Sequence, residues 1–176
     1  GANWRLCVAF DNGNYWDWMN SGWSQSYIGS FGNAVNTDDD AFTKNLWPLC
    51  WYGVRKANVG LENMDNLVEA TEEEKNIIEG QLLFFRGFFH FQLMSFWGGL
   101  PYVDKDLSSS KMDLPRLGYQ EMALLAAEDL KAAAELLPAN WDNTEAGKRT
   151  LGNNNQRITK SVAYAYLGKD LLYAAS

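Results

Sequence analysis

Histidine occurs once and cysteine twice among 176 residues, and both scarcities narrow the chemistry open to this chain. The lone His90 cannot supply a multi-histidine metal site, and no serine or cysteine nucleophile motif accompanies it. It reads as a hydrogen-bonded histidine of the core or of a helix interface. Cys7 and Cys50 are too few for a disulfide framework and lack metal-ligand spacing. Two buried thiols are expected, with a single bridge as the alternative. Positive charge is also short: 15 Lys and Arg stand against 22 Asp and Glu, a net charge of -7. With no basic cluster to meet a phosphate backbone, nucleic acid is not an expected partner. A glycine-rich phosphate loop and a nucleophile elbow are both missing. The acids fall in runs, at 38–40, 72–74 and 128–129, which read as solvated faces and helix caps. Glycoside hydrolysis instead needs two carboxylates facing each other across a cleft. The run Asp38-Asp39-Asp40 lacks the alternate spacing and downstream Glu of a calcium loop, so it too reads as a helix cap. No catalysis, metal or cofactor is expected.

A bilayer span is excluded on length. Between Leu82 and Trp97 the polar side chains are only Arg86, His90, Gln92 and Ser95, yet the run falls short of the roughly 20 apolar residues a span requires. An arginine near its middle would also be costly in lipid. What the stretch Gly80–Val103 does specify is a core helix, apolar on nearly every side and therefore enclosed by other parts of the protein. Its start is marked by Thr71 and Glu74, the spacing of a capping box, with Glu72, Glu73 and Glu74 at the positive end of the helix dipole. Its end is marked by Gly98-Gly99, and Pro101 forbids continuation. Buried Arg86 needs a partner; Glu79, two turns away, or backbone carbonyls are the candidates.

The 47% hydrophobic content suffices for one domain with its own core. The chain opens abruptly at Gly1 and stops at Ser176 inside a helical pattern, as a piece of something longer would. Residues 1–40 mix Trp, Tyr and Phe with Asn, Gly, Ser and Asp in no sustained period, which predicts an irregular, surface-lying segment. Its rings read either as a ligand platform, stacking on the apolar faces of a sugar while Asn and Asp bind hydroxyls, or as pins holding a long loop to the helices. A helix follows over about 42–66, with Trp47, Cys50, Trp51, Val54, Ala57, Asn58 and Leu61 at spacings of three and four. Pro48 confines its regular part to start as late as Leu46. The short link to the core helix predicts an antiparallel helix hairpin. Residues 104–118 form a polar, Pro-containing loop. A helix over 119–137 carries Met122, Leu125, Ala126, Leu130 and Ala133 on one face and ends at Pro138. The stretch 141–156 reads as an exposed loop, and Thr159 caps a last helix containing Val162, Ala163, Tyr166, Leu167 and Leu171.

The run Phe84-Phe85-Arg86-Gly87-Phe88-Phe89-His90-Phe91-Gln92-Leu93, then Phe96-Trp97-Gly98-Gly99-Leu100-Pro101-Tyr102-Val103, resembles the signature of the SusD/RagB nutrient-uptake lipoproteins. So do Trp51-Tyr52 with Ala57-Asn58, the lead-in Pro115-Arg116 with Glu128-Asp129-Leu130, and Arg157-Ile158-Thr159-Lys160, in that order along the chain. Departures are Gln81 for a common Glu, Gly118 for a Ser cap, Gln156 for Gly and Asp170 for an apolar residue.

The resemblance implies an all-α fold of tetratricopeptide-like helical hairpins with long irregular loops. On that pattern residues 1–176 form a single helical domain fragment: an aromatic segment 1–40, a first hairpin 41–97, an insertion 98–118 and a second hairpin 119–175. It further implies a non-enzymatic protein that captures oligosaccharide or another nutrient at the cell surface. Delivery to a SusC-like TonB-dependent transporter follows, with outer-membrane attachment through a lipid anchor outside this fragment. Trp16, Trp18, Asn20, Trp23 and Tyr27 are the candidate ligand-binding residues. The rival readings are a tetratricopeptide-like scaffold that binds peptide in its groove and a helical glycosidase.

Overall fold

The computed structural model describes residues 46–107 and 113–176. The candidate ligand residues Trp16, Trp18, Asn20, Trp23 and Tyr27, and Cys7, therefore lie outside the described part. The chain divides into two compact units, Gly1–Tyr52 and Gly53–Ser176. Of the first, residues 46–52 are described; they form the opening turns of a helix in which the Trp47 and Trp51 rings meet edge to face at 5.6 Å.

Among the described residues the secondary structure is helical throughout, with no strand. Four long helices follow one another: α1 (Leu46–Glu62), α2 (Glu72–Trp97), α3 (Tyr119–Leu136) and, after a single turn α4 (Glu145–Lys148), α5 (Lys160–Ala174). Pro48 is the third residue of α1, inside the first turn, where a missing N–H breaks no intrahelical bond. Thr71 and Glu74 form the full capping box on α2: Thr71 Oγ1 accepts from the Glu74 amide at 3.2 Å, and Glu74 Oε2 accepts from the Thr71 amide at 3.0 Å. The other end of α2 stops at Gly98, whose φ of 75° is a left-handed value that side chains disfavour. Arg116 caps the exposed carbonyls there, donating to Trp97 O at 3.0 Å and Gly99 O at 2.8 Å.

Helical glycines report where helices touch. A Cβ on Gly53 would fall 2.2 Å from the Phe89 ring, and one on Gly60 would fall 2.6 Å from Leu82. As the number rises in α1 it falls in α2, so the two are antiparallel neighbours. Gly80 against Leu136 at 3.0 Å and Gly87 against the Ala126 carbonyl at 2.9 Å give the same sense for α2 and α3. The α3–α5 pair is joined at one end by the Lys160 amide donating to Pro138 O at 3.0 Å. At the other end Tyr119 lies within electrostatic reach of Asp170 and Tyr173. Successive antiparallel helices stacked in this way are tetratricopeptide-like hairpins.

One core cluster joins α2 to the second hairpin. Leu83 and Phe84 of α2 meet Leu130, Ala133 and Ala134 of α3, Leu137 just beyond it, and Ala163 of α5. Small residues at 133, 134 and 163 let the backbones approach, and Phe84 fills the space left, edge-on to Tyr166 at 5.6 Å.

Residues 141–156 are mostly exposed, as expected of a loop, but Trp141, Thr144, Gly147 and Asn154 are buried within it. Trp141 is 2% exposed, and its Nε1–H donates to Ile158 O at 2.8 Å with the Arg157 guanidinium 4.7 Å from its ring centroid. Asn154, inside the Gly-Asn run, is buried and donates to Asp142 Oδ1 at 2.6 Å and Gly147 O at 3.0 Å. A large ring needs covering, so the turn residues wrap it. The loop is also fastened to α2, with the Glu145 amide donating to Glu73 at 2.9 Å and Arg149 3.0 Å from Glu74.

Candidate functional site

The most concentrated polar constellation among the described residues surrounds Arg86, at the middle of α2. Its Nε and Nη2 donate side by side to Asp129 of α3, at 2.6 and 2.7 Å, the two-pronged geometry in which guanidinium and carboxylate fit best. Nη1 donates to Asn58 Oδ1 of α1 at 3.3 Å and to Asp104 O at 3.0 Å. Both charged side chains are nearly withdrawn from water, at 13% and 10% exposure. The partner of the buried arginine is therefore Asp129, not Glu79, and the Glu128-Asp129 run divides: Glu128 faces solvent while Asp129 is buried. Burial alone would lower the Arg86 pKa; hydrogen bonding to Asp129 and the charge of Asp129, with a smaller contribution from Asp104, raise it on balance.

Around this pair the segment 101–106 is strapped across three helices. Tyr102 Oη donates to Asp129 Oδ2 at 2.5 Å. Burial, followed by the Asp129 charge, pushes the phenol pKa well up, so it stays a donor. Asn58 Nδ2 donates to Val103 O at 2.8 Å and Lys105 O at 3.1 Å. His90 stacks on Tyr102 with ring centroids 3.9 Å apart. Its protonation state follows from its neighbours. The Val103 amide donates to Nε2 at 3.0 Å, so Nε2 carries the lone pair; Nδ1 must then hold the proton and donate to Arg86 O at 2.9 Å. Burial lowers its pKa to about 3, consistent with a neutral ring. Outside the buried part, Arg55 reaches Asp106 at 3.2 Å and Glu62 accepts from the Asp106 amide at 2.7 Å.

Chemically this constellation is closed. Every polar group in it is satisfied by the protein's own atoms, which suits a scaffold and leaves no group aimed at a substrate. His90 is the hydrogen-bonded interface histidine expected of it. Asn58, which stood in an apolar register of α1, and Asp129, inside an acidic pair, are the members whose role the chain order alone did not reveal. A polar residue on a buried stripe was the signal for both.

Other chemistry-bearing groups stand apart. Cys50 is buried with a free thiol, its pKa pushed up by that burial. Asp170 is fully buried in α5, and both its carboxylate oxygens lack a hydrogen-bond partner; burial raises its pKa to about 7. No cluster of three or more His, Cys, Asp or Glu able to hold a metal occurs among the described residues, and no helix among them is long and apolar enough to cross a membrane.

This helical architecture has relatives. The chain matches a SusD-like family described as starch-binding and associating with the outer membrane, over residues 8–172. It is 28% identical over 108 residues to the SusD-like protein P2 of Formosa agariphila, a match covering 60% of this chain and 21% of that protein. A solved SusD-like protein from Bacteroides fragilis is 31% identical, with a TM-score of 0.62 over 73% of this chain and 23% of that one. Surface glycan-binding protein A of Bacteroides uniformis shares the fold at 22% identity, with a TM-score of 0.62 over 74% of this chain and 27% of that one. The matched part of the chain thus spans only 21%, 23% and 27% of the length of these relatives. With the family match running over residues 8–172, through nearly all of the described helices, the chain belongs to the SusD-like family.

Proposed function

We propose that this chain is part of a non-catalytic glycan- or nutrient-binding protein of the bacterial outer membrane. It captures oligosaccharide at the cell surface and hands it to a SusC-like TonB-dependent transporter, held at the membrane by a lipid anchor outside residues 1–176. The observation that carries this reading is the match to the starch-binding, outer-membrane family over residues 8–172. The closed chemistry of the Arg86 constellation supports it, because a scaffold that presents loops needs rigidity and no reacting group.

Within this chain the ligand-binding residues proposed are Trp16, Trp18, Asn20, Trp23 and Tyr27. Flat rings stack on the C–H faces of a pyranose while an amide pairs with hydroxyls, a combination suited to a neutral, hydroxyl-rich ligand. Affinity electrophoresis of the full-length protein through gels carrying different polysaccharides tests the reading. Retardation without release of reducing sugar is expected, and the triple substitution Trp16→Ala, Trp18→Ala, Trp23→Ala should weaken it. Peptide binding with no retardation in any polysaccharide would point to a tetratricopeptide-like scaffold instead, and sugar release would point to a glycosidase.

A further inference from the structure

Glycines inside the other long helices have a packing reason. Gly53 and Gly60 in α1 and Gly80 and Gly87 in α2 each sit where a Cβ would come within 3.0 Å of a neighbouring helix. Gly168, near the middle of α5, does not: nothing lies within 4 Å of where its Cβ would be. A glycine that no contact requires is a weak point in a helix interior.

The two halves of α5 on either side of it are held differently. The first is capped by Thr159, tied to Pro138 O through the Lys160 amide at 3.0 Å, and packed through Ala163, Tyr166 and Leu167 on the cluster of Leu83, Phe84 and Leu130. Beyond Gly168 only Asp170 is fully buried, while Leu171, Leu172 and Tyr173 are 43%, 73% and 38% exposed. The Tyr173 ring, edge-on to Phe91 at 5.2 Å, and Lys169 Nζ, 5.7 Å from the centroid of that ring, add contacts with α2.

What the second half buries is therefore a carboxyl group, and its surroundings suit only the neutral form. Neither oxygen has a hydrogen-bond partner among the described residues. From α3 the titratable group within electrostatic reach is the phenol of Tyr119. The side chain that α2 presents to this half is the Phe91 ring, and on α5 itself Tyr173 and the Lys169 ammonium are turned to that ring. Burial is the one cause of the raised Asp170 pKa, about 7, with no neighbouring cation to offset it.

We propose that Asp170 and Gly168 make the second half of α5 a pH-operated latch: with the carboxyl protonated, residues 169–174 lie docked on α2 and α3, and ionisation releases them about Gly168 so that the carboxylate reaches water. Release uncovers no fully buried apolar side chain of α5, so it is a smaller step than unfolding the bundle. In the released half Asp170 titrates at its ordinary value of 3.8. Docking is thus strongest below that pH, and the opening equilibrium rises about tenfold per pH unit until it levels off near pH 7.

Amide hydrogen exchange on the full-length protein at pH 5, 6, 7 and 8, with rates divided by the intrinsic chemical rate at each pH, tests the latch. Opening of residues 169–174 should rise about a hundredfold between pH 5 and 7 and change little from 7 to 8, while residues 160–167 and α3 keep their protection. Asp170→Asn and Asp170→Leu, uncharged at every pH, should each abolish the rise. Gly168→Ala, whose methyl has room, should lower opening about two- to fivefold throughout. No rise, a rise that survives in both Asp170 variants, a loss of protection shared by α3, or opening unmoved by Gly168→Ala would overturn the proposal. None of these readouts depends on glycan binding.

Discussion

A guanidinium withdrawn from water must be matched atom for atom, and Arg86 is: four of its hydrogen bonds reach Asp129, Asn58 and Asp104. Removing one member of such a pair leaves the other buried and uncompensated. Asp129→Asn, which keeps the shape and removes the charge, should lower unfolding free energy by about 3–5 kcal/mol in urea denaturation. Tyr102→Phe deletes one hydrogen bond to the same carboxylate and should cost less, about 1.5–3 kcal/mol. Equal effects would mean that the phenol, not the ion pair, holds the segment. That Arg86 needed a partner was legible from its apolar surroundings. Which partner was not: Asp129 is 43 positions away, and only the register of α2 against α3 brings the two together. Chain order offers Glu79, one heptad earlier on the same helix, because local spacing says nothing about a neighbouring rod.

Helix ends are set locally, and so were readable in advance. The Thr71–Glu74 capping box and the Thr159 cap need only residues three apart, and both form as their spacing predicts. Thr71→Ala should cost about 1 kcal/mol in chemical denaturation, by leaving the Glu74 amide without its acceptor. Helix contacts behave differently. At Gly87 any side chain would drive into the Ala126 carbonyl and Leu130, so Gly87→Val should cost about 1–3 kcal/mol or more, although valine fits the apolar pattern of α2. A melting temperature unchanged by that substitution would show that α2 and α3 can slide apart. The burial of Trp141 inside an otherwise exposed loop was not legible for a related reason. Its Gly, Asn and Asp residues describe turns faithfully, but whether turns lie open or fold over a ring depends on the Ile158 carbonyl that the indole finds.

For the molecule as a whole, two buried ionisable groups pull the pH dependence in opposite directions. His90 binds its proton at about 3 when folded and 6.5 when not. The unfolded chain therefore holds the extra proton between those values, and this group makes stability rise with pH across that window. Asp170 titrates at about 7 when folded against 3.8 otherwise. There the folded chain holds the extra proton, so stability falls as pH rises. Each slope is about 1.4 kcal/mol per pH unit, and between about pH 4 and 6.5 they offset. The native protein should give a nearly flat stability profile there. Asp170→Asn should expose the histidine slope, with stability climbing from pH 4 to 6.5 in urea titrations at stepped pH; a profile as flat as the native one would rule out the carboxyl as its counterweight. Asp170→Leu should in addition raise stability at pH 7 and above, since an orphaned buried acid is replaced by a side chain suited to its apolar surroundings. The two feet of the 98–118 excursion have a practical meaning at this scale. Gly99 passes so near Leu117 that a Cβ there would meet its carbonyl at 2.2 Å, and Arg116 staples the junction to the end of α2. With the gap already closed at its base, extra length costs little in chain entropy. A peptide epitope grafted between residues 107 and 113 should therefore leave the helical stack standing, which makes that point a convenient handle for attaching a label.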